Sequence, residues 1–321
     1  MIQRKHQCAI VLVMGFVLVS SIAYAAAKPV HPCQELRMAF FSYSHSQPLN
    51  PVLTPFGNPN ADRTQYHLTY QSGHEQTVTA ILTIPNRFKP PYPAVLLLAG
   101  AGGSKTSDYI MASAEMLARV GYASLAIDAQ YHGERARPGR TTDLHKIGSV
   151  SVRNAWIQTV IDLRRGVDYL DSRRDINPKR IGFLGFSEGA IMGAILGGVE
   201  PRLHCYCLVV PGADFLPWAK KLGLITPQNR HNVEVTAKIL DPIHFVGRIA
   251  PRPLLILSGR QDPIIPRFAT EALYDHAKQP KKLIWYNSGH IVPLIAINTI
   301  RSFFVSNLGK RAPIHPIPAG E

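Results

Sequence analysis

Residues 185–189 read Gly185-Phe186-Ser187-Glu188-Gly189, between the apolar run Arg180-Ile181-Gly182-Phe183-Leu184 and the small-residue run Ala190-Ile191-Met192-Gly193-Ala194-Ile195-Leu196. A strand-like run, a serine with glycine two positions to either side, and then a helix-like run describe a strand that turns sharply into a helix. Side chains at the two glycine positions would collide with the neighbouring backbone, so glycine is required there. The pattern forces Ser187 onto a tight turn at the end of a buried strand, where its hydroxyl can act as a nucleophile.

A nucleophile of this kind needs an acid and then a histidine downstream. Asp262 lies in Gly259-Arg260-Gln261-Asp262-Pro263, directly after the apolar run Pro253-Leu254-Leu255-Ile256-Leu257. That is the loop at the C-terminal end of a strand, where functional residues of open α/β sheets collect. Asp214, after Leu208-Val209-Val210, is the best rival, and Asp241 and Asp275 have weaker contexts. His290 follows the strand-like Leu283-Ile284-Trp285-Tyr286 and the turn Asn287-Ser288-Gly289, ahead of a helical pattern over 291–304. His276, inside a helical pattern, and His315, in a proline-rich tail, lack a strand-end context. In this reading His290 takes the Ser187 proton during attack on a carbonyl, and Asp262 fixes the imidazole tautomer and stabilises its cation. The plainer reading makes His290 a helix-start residue and Asp262 a turn former before proline.

The oxyanion of such an attack needs backbone donors. One is the N–H of Glu188; the other is expected from Ala101, in Gly100-Ala101-Gly102-Gly103-Ser104, directly after the run Ala94–Ala99. The same loop lacks the Gly-Lys-Ser/Thr ending of a phosphate loop and does not complete a dinucleotide fingerprint. No cofactor and no metal are called for.

On these residues, together with Tyr92-Pro93-Ala94-Val95 and Asp128-Ala129-Gln130-Tyr131-His132-Gly133-Glu134-Arg135, the chain resembles the α/β-hydrolase superfamily over roughly residues 65–308. Within it the likeness is to dienelactone-hydrolase-like and acetyl-xylan-esterase-like serine esterases. The resemblance implies an α/β fold with a mostly parallel central sheet flanked by helices, and hydrolysis through Ser187, Asp262 and His290. Many relatives carry His-Gly where Ala99-Gly100 stands here, so the loop's hydrogen-bonding support is expected to differ. The segment from Tyr131 to Arg135 either lines the pocket mouth through Tyr131 or shapes a turn with Glu134 and Arg135 paired; relatives use similar segments for packing, which favours the turn.

Alternating strand and helix patterns support the same class. Tyr66–Ser72 and Thr77–Ile84 read as a hairpin, and Val152, Trp156, Val160, Leu163, Val167 and Leu170 recur at helical spacing. Residues 28–60 are expected to form an irregular arm, 61–308 the hydrolase domain and 309–321 a Pro-rich tail. Residues 213–250, after the sixth strand by this count, read as a short cap, with Phe215 and Trp218 either lining an acyl pocket or packing the cap onto the sheet. A cap this short leaves room for small and medium substrates.

Arg4 and Lys5, an apolar stretch from Ala9 to Ile22, and Ala23-Tyr24-Ala25 make residues 1–27 read as an export signal cleaved after Ala25 or Ala27, with an uncleaved anchor as the alternative. Removing it leaves Cys33, Cys205 and Cys207, an odd number, so at least one thiol is unpaired or pairs between chains. Cys205 and Cys207, next to His204, read as strand packing rather than metal ligands. The net charge of +14 is scattered in pairs such as Lys220-Lys221 and Lys281-Lys282, without the basic run that nucleic-acid binding would need. The sequence thus predicts an exported serine esterase acting on a small-molecule ester. A peptidase or thioesterase on the same triad, and a non-catalytic binding protein of the same fold, are the alternatives.

Overall fold

The computed structural model describes residues 32–314, apart from Thr141 and residues 143–145. The expected export signal (1–27), His315 and most of the tail lie outside the described residues. Nine strands form one sheet: β1 (Val52–Pro55), β2 (Arg63–Gln71), β3 (Thr77–Pro85), β4 (Tyr92–Leu98), β5 (Ala123–Ile127), β6 (Ile176–Phe186), β7 (Cys205–Val209), β8 (Leu254–Gly259) and β9 (Lys281–Tyr286). Their spatial order is β1-β2-β3-β5-β4-β6-β7-β8-β9. The first three are an antiparallel meander joined antiparallel to β5, and every pairing from β5 through β4 to β9 is parallel.

Parallel strands covered on both faces carry apolar side chains at every position. In β4, Ala94, Leu96 and Leu98 point into one core while Val95 and Leu97 point into the other. The first core is closed by α3 (Val150–Ser172), α4 (Glu188–Val199) and α7 (Arg267–His276). The second is closed by α2 (Asp108–Arg119) and α8 (Ala296–Leu308). All six apolar positions read at helical spacing in α3 are buried, Trp156 among the largest of them. Cys205 and Cys207 are free thiols packed in the second core, where burial pushes both well above the usual thiol range.

Three expectations are corrected. The arm over 28–60 is not wholly irregular: it holds α1 (Pro32–Ala39) and the edge strand β1, which makes the strand ahead of the cap the seventh rather than the sixth. The last helix begins at Ala296, so Ile291–Ile295 is an exposed loop rather than its first turn. Pro293 accounts for the delay, because the residue before proline is pushed out of helical geometry.

The insertion after β7 contains α5 (Phe215–Lys221), α6 (Arg230–Leu240) and two short 3-10 turns. Asp241 ties it together: its carboxylate accepts from the N–H groups of Asp214 (2.9 Å), Phe215 (2.6 Å) and Ile243 (3.2 Å). Burial raises the Asp241 carboxyl from 3.8 to about 6, against the lowering effect of those bonds. Burial also lowers the nearby His244 from 6.5 to about 4. The signs oppose: a raised carboxyl is protonated first in the folded state and favours folding as pH falls through 6, whereas a lowered imidazole is protonated first in the unfolded chain and disfavours folding as pH falls from 6.5 to 4. Thermal melts between pH 7 and 5 should show Asp241→Asn losing stability on acidification more steeply than the parent, and His244→Gln less steeply.

Candidate active site

Ser187 stands between β6 and α4 with φ 51° and ψ −119°, a left-handed backbone that a non-glycine residue adopts only when its surroundings enforce it. The enforcement is steric and local. A Cβ at Gly189 would lie 2.4 Å from the Ala99 carbonyl oxygen, and one at Gly185 would lie 2.5 Å from the Gly189 carbonyl oxygen. The first turn of α4 therefore presses on the end of β4. The turn is held from the other side by the Ser187 N–H, which donates to the Val209 carbonyl at the end of β7 (2.8 Å).

Three strand ends converge on the hydroxyl. Ser187 Oγ donates to His290 Nε2 at 2.9 Å, and His290 Nδ1 donates to Asp262 Oδ2 at 2.8 Å. The other Asp262 oxygen accepts from the N–H groups of Ile264 (2.8 Å) and Ile265 (2.9 Å), which fixes the carboxylate plane. The rival acids have other work. Asp214 stands at the start of α5 in a left-handed conformation with its N–H donated to Asp241, and Asp241 holds the cap. His276 bonds its own helix at Ala272.

Glu188 contributes the first N–H of α4, a position with no intrahelical acceptor. Its side chain is buried away from solvent, where Oε1 accepts from Trp156 Nε1 at 2.6 Å and Oε2 stands 3.8 Å from His132 Nε2. Ala101 is exposed on the loop after β4, and with Gly102, Tyr131, His132 and Arg140 it lines an open cleft of about 450 Å³. Tyr131 lines that cleft, whose lining does not include Ser187 or His290. Phe215 and Trp218 are not among the residues of that cleft. Phe215 is fully buried with its ring edge-on to Trp156 at 5.8 Å, and Trp218 packs beside it, so the packing reading holds for both. The expected Glu134–Arg135 pair does not form: Arg135 binds Asp162 at 2.7 Å, and Glu134 binds Lys105 and His67.

Two supports of the oxyanion loop went unread in the sequence. Tyr109, from the first turn of α2, accepts the Gly100 N–H at 3.1 Å and stacks edge-on against Phe186. It supplies bracing at the loop where relatives carry histidine, and it stands nine residues away, so only the fold discloses it. Burial raises its hydroxyl above the usual tyrosine range, keeping it neutral. Lys105, buried at the far end of the loop, donates to Asp128 through both its N–H (2.9 Å) and its Nζ (2.5 Å), and Nζ reaches Glu134 at 2.7 Å. Gly133 is required beside this cluster, since with φ 52° its Cβ would fall 2.2 Å from an Asp128 oxygen. No group of three or more His, Cys, Asp or Glu side chains arranged to hold a metal ion occurs among the described residues.

The chain matches the family described as "Serine hydrolase (FSH1)" over residues 151–299 and the dienelactone hydrolase family over residues 78–205. It is 28% identical over 206 residues to the "Putative hydrolase YtaP" of Bacillus subtilis, covering 61% of this chain and 68% of that one. It is 26% identical to the uncharacterized protein YfhR of Escherichia coli, of which it spans less than half, 44%. Among solved structures, an acetyl xylan esterase from Paenibacillus sp. R4 superposes with a TM-score of 0.72 at 20% identity, over 85% of this chain and 93% of that one. Acetyl xylan esterase 1 from Thermoanaerobacterium sp. JW/SL YS485 gives 0.70 at 16% identity, over 87% and 95%. These likenesses show the α/β-hydrolase fold.

Replacing Lys105 by Met leaves the Asp128 carboxylate buried without its cation, a change that typically costs about 3–5 kcal/mol. A melt of Lys105→Met should fall by roughly 10 °C relative to the parent. Tyr109→Phe removes only the acceptor of one N–H and should melt close to the parent.

Proposed function

The chain is a serine hydrolase of the α/β-hydrolase fold, and from that premise we propose that it is a carboxylesterase acting on small and medium esters through an acyl-serine intermediate. The observation that carries this is the unbroken relay from Ser187 Oγ through His290 to Asp262, with bonds of 2.9 and 2.8 Å. His290 Nε2 takes the hydroxyl proton as Oγ attacks the ester carbonyl, and the imidazolium is stabilised by Asp262. The N–H groups of Glu188 and Ala101 receive the oxyanion. The intermediate collapses by breaking the bond to the alcohol oxygen, which leaves with the proton from His290. A water, deprotonated in turn by His290, then attacks the acyl-serine and releases the acid and free Ser187. None of these steps requires a metal or cofactor.

The open cleft beside Ala101 and Tyr131 supports small and medium substrates, with the Phe215 ring packed against Trp156 rather than lining it. Export is part of the same proposal, resting on residues 1–27 of the sequence. No helix among the described residues is long and apolar enough to cross a membrane.

Hydrolysis of p-nitrophenyl esters of rising acyl length should be fastest for the short acyl groups and vanish in Ser187→Ala at unchanged fold. Asp262→Asn should lower kcat by about 10⁴-fold through the wrong histidine tautomer, with Asp214→Asn near parent activity. Turnover that survives Ser187→Ala contradicts the assignment. The intact mass of protein recovered from an exporting host should correspond to a start at Ala26 or Lys28.

A further inference from the structure

The loop after β4 has one polar anchor at the end that faces the nucleophile. From Gly100, Ala101, Gly102 and Gly103, the only hydrogen bond that leaves the segment among the described residues runs from the Gly100 N–H to the Tyr109 hydroxyl, at 3.1 Å. The segment's other bond is internal, from the Gly103 N–H to the Gly100 carbonyl at 3.0 Å. That bond shapes the turn but moves with it.

The two bonds hold both polar groups of one residue. Gly100 has the freest backbone of any residue type and no side chain by which packing could fix it. Its peptide bond to Ala101 is trans, so the Ala101 N–H points opposite to the Gly100 C=O, and whatever orients Gly100 aims that N–H. A Cβ at Gly100 would lie 3.0 Å from the Cβ of Ser187, which places this stretch of backbone directly against the nucleophile. Tyr109 is itself firmly seated. It stands in the first turn of α2, whose Ile110, Ala114 and Leu117 are buried in the second core, and its ring meets Phe186 edge-on at 5.0 Å. Phe186 directly precedes Ser187, so one side chain sets the spacing between the loop that carries Ala101 and the elbow that carries Glu188.

We propose that Tyr109 is a positioning residue of the oxyanion hole: its hydroxyl holds Gly100 and thereby aims the Ala101 N–H at the oxygen that becomes negative in the transition state. A donor aimed at that oxygen acts on the rate of bond formation rather than on ground-state binding. The proposal rests on the reading of Ala101 as an oxyanion donor, and not on the ester being the substrate.

A fluorophosphonate separates the two, because its phosphoryl oxygen occupies the oxyanion hole while Ser187 Oγ bonds to phosphorus, fluoride leaves and His290 takes the proton. In Tyr109→Phe, the labelling rate constant of Ser187 at saturating reagent should fall about tenfold, less than the loss of a whole donor, with the half-saturating concentration unchanged. The tyrosine is 41% exposed, so water can satisfy the Gly100 N–H and the variant should melt with the parent. The pH midpoint of labelling should also stay where it is in the parent, since the bonds among Ser187, His290 and Asp262 are untouched. A parent-like rate constant overturns the proposal, and so does a loss carried by the half-saturating concentration or by a lower melt, which makes Tyr109 a purely structural residue. A moved pH midpoint overturns it as well, because the effect then runs through His290. Tyr109-dependent labelling of Ser187 in a protein that turns over no p-nitrophenyl ester supports the positioning role and overturns the esterase reading alone.

Discussion

The structure depends on the contact between the first turn of α4 and the end of β4. Gly189 approaches the Ala99 carbonyl so closely that no side chain fits between them, and Ser187 is driven to positive φ as a result. Backbone strain of this kind costs of order 1–3 kcal/mol and persists only where the environment over-determines it. Here the sheet supplies the over-determination: β6 is paired on both sides, by β4 and β7, and α4 is buried along nearly its whole length. The strained turn puts the hydroxyl above the sheet, the Glu188 N–H at a helix start and the Gly100 loop alongside, all from one local geometry.

Around that turn, parts separate in sequence hold the reactive geometry. The β8 end brings Asp262, whose orientation is fixed by the next two backbone amides after Pro263. The β9 end brings His290. The loop after β4 is braced at one end by the Tyr109 hydroxyl and at the other by the buried Lys105–Asp128 pair. The cap, tied by Asp241, packs its aromatic residues into the core beside Trp156, so it shapes the site from outside.

What was legible in the sequence is what local rules govern. Ser187, Asp262 and His290 could be read because each follows an apolar strand run and a turn, and α3 could be read from its periodicity. What was not legible depends on partners far away in the chain. Tyr109 and Lys105 carry no motif, and their meaning comes from Gly100 and from Asp128, 23 residues on from Lys105. Glu134 and Arg135, adjacent in sequence, turn to different partners because the 3-10 turn points them apart. The apolar run after His290 matched a helical pattern, yet Pro293 and the lack of a covering surface leave Ile291–Ile295 as an exposed loop. Phe215 and Trp218 carried two readings that periodicity alone could not separate, and burial decided for packing.

The central claim is that Ser187 is an activated nucleophile, and covalent trapping tests it most directly. A fluorophosphonate added to the purified protein should form one bond from Ser187 Oγ to phosphorus with loss of fluoride, giving a single adduct that peptide mass spectrometry places on Ser187. His290→Ala should slow that reaction by orders of magnitude at unchanged fold. An unlabelled protein, an adduct on another residue, or a labelling rate indifferent to His290 would contradict the account.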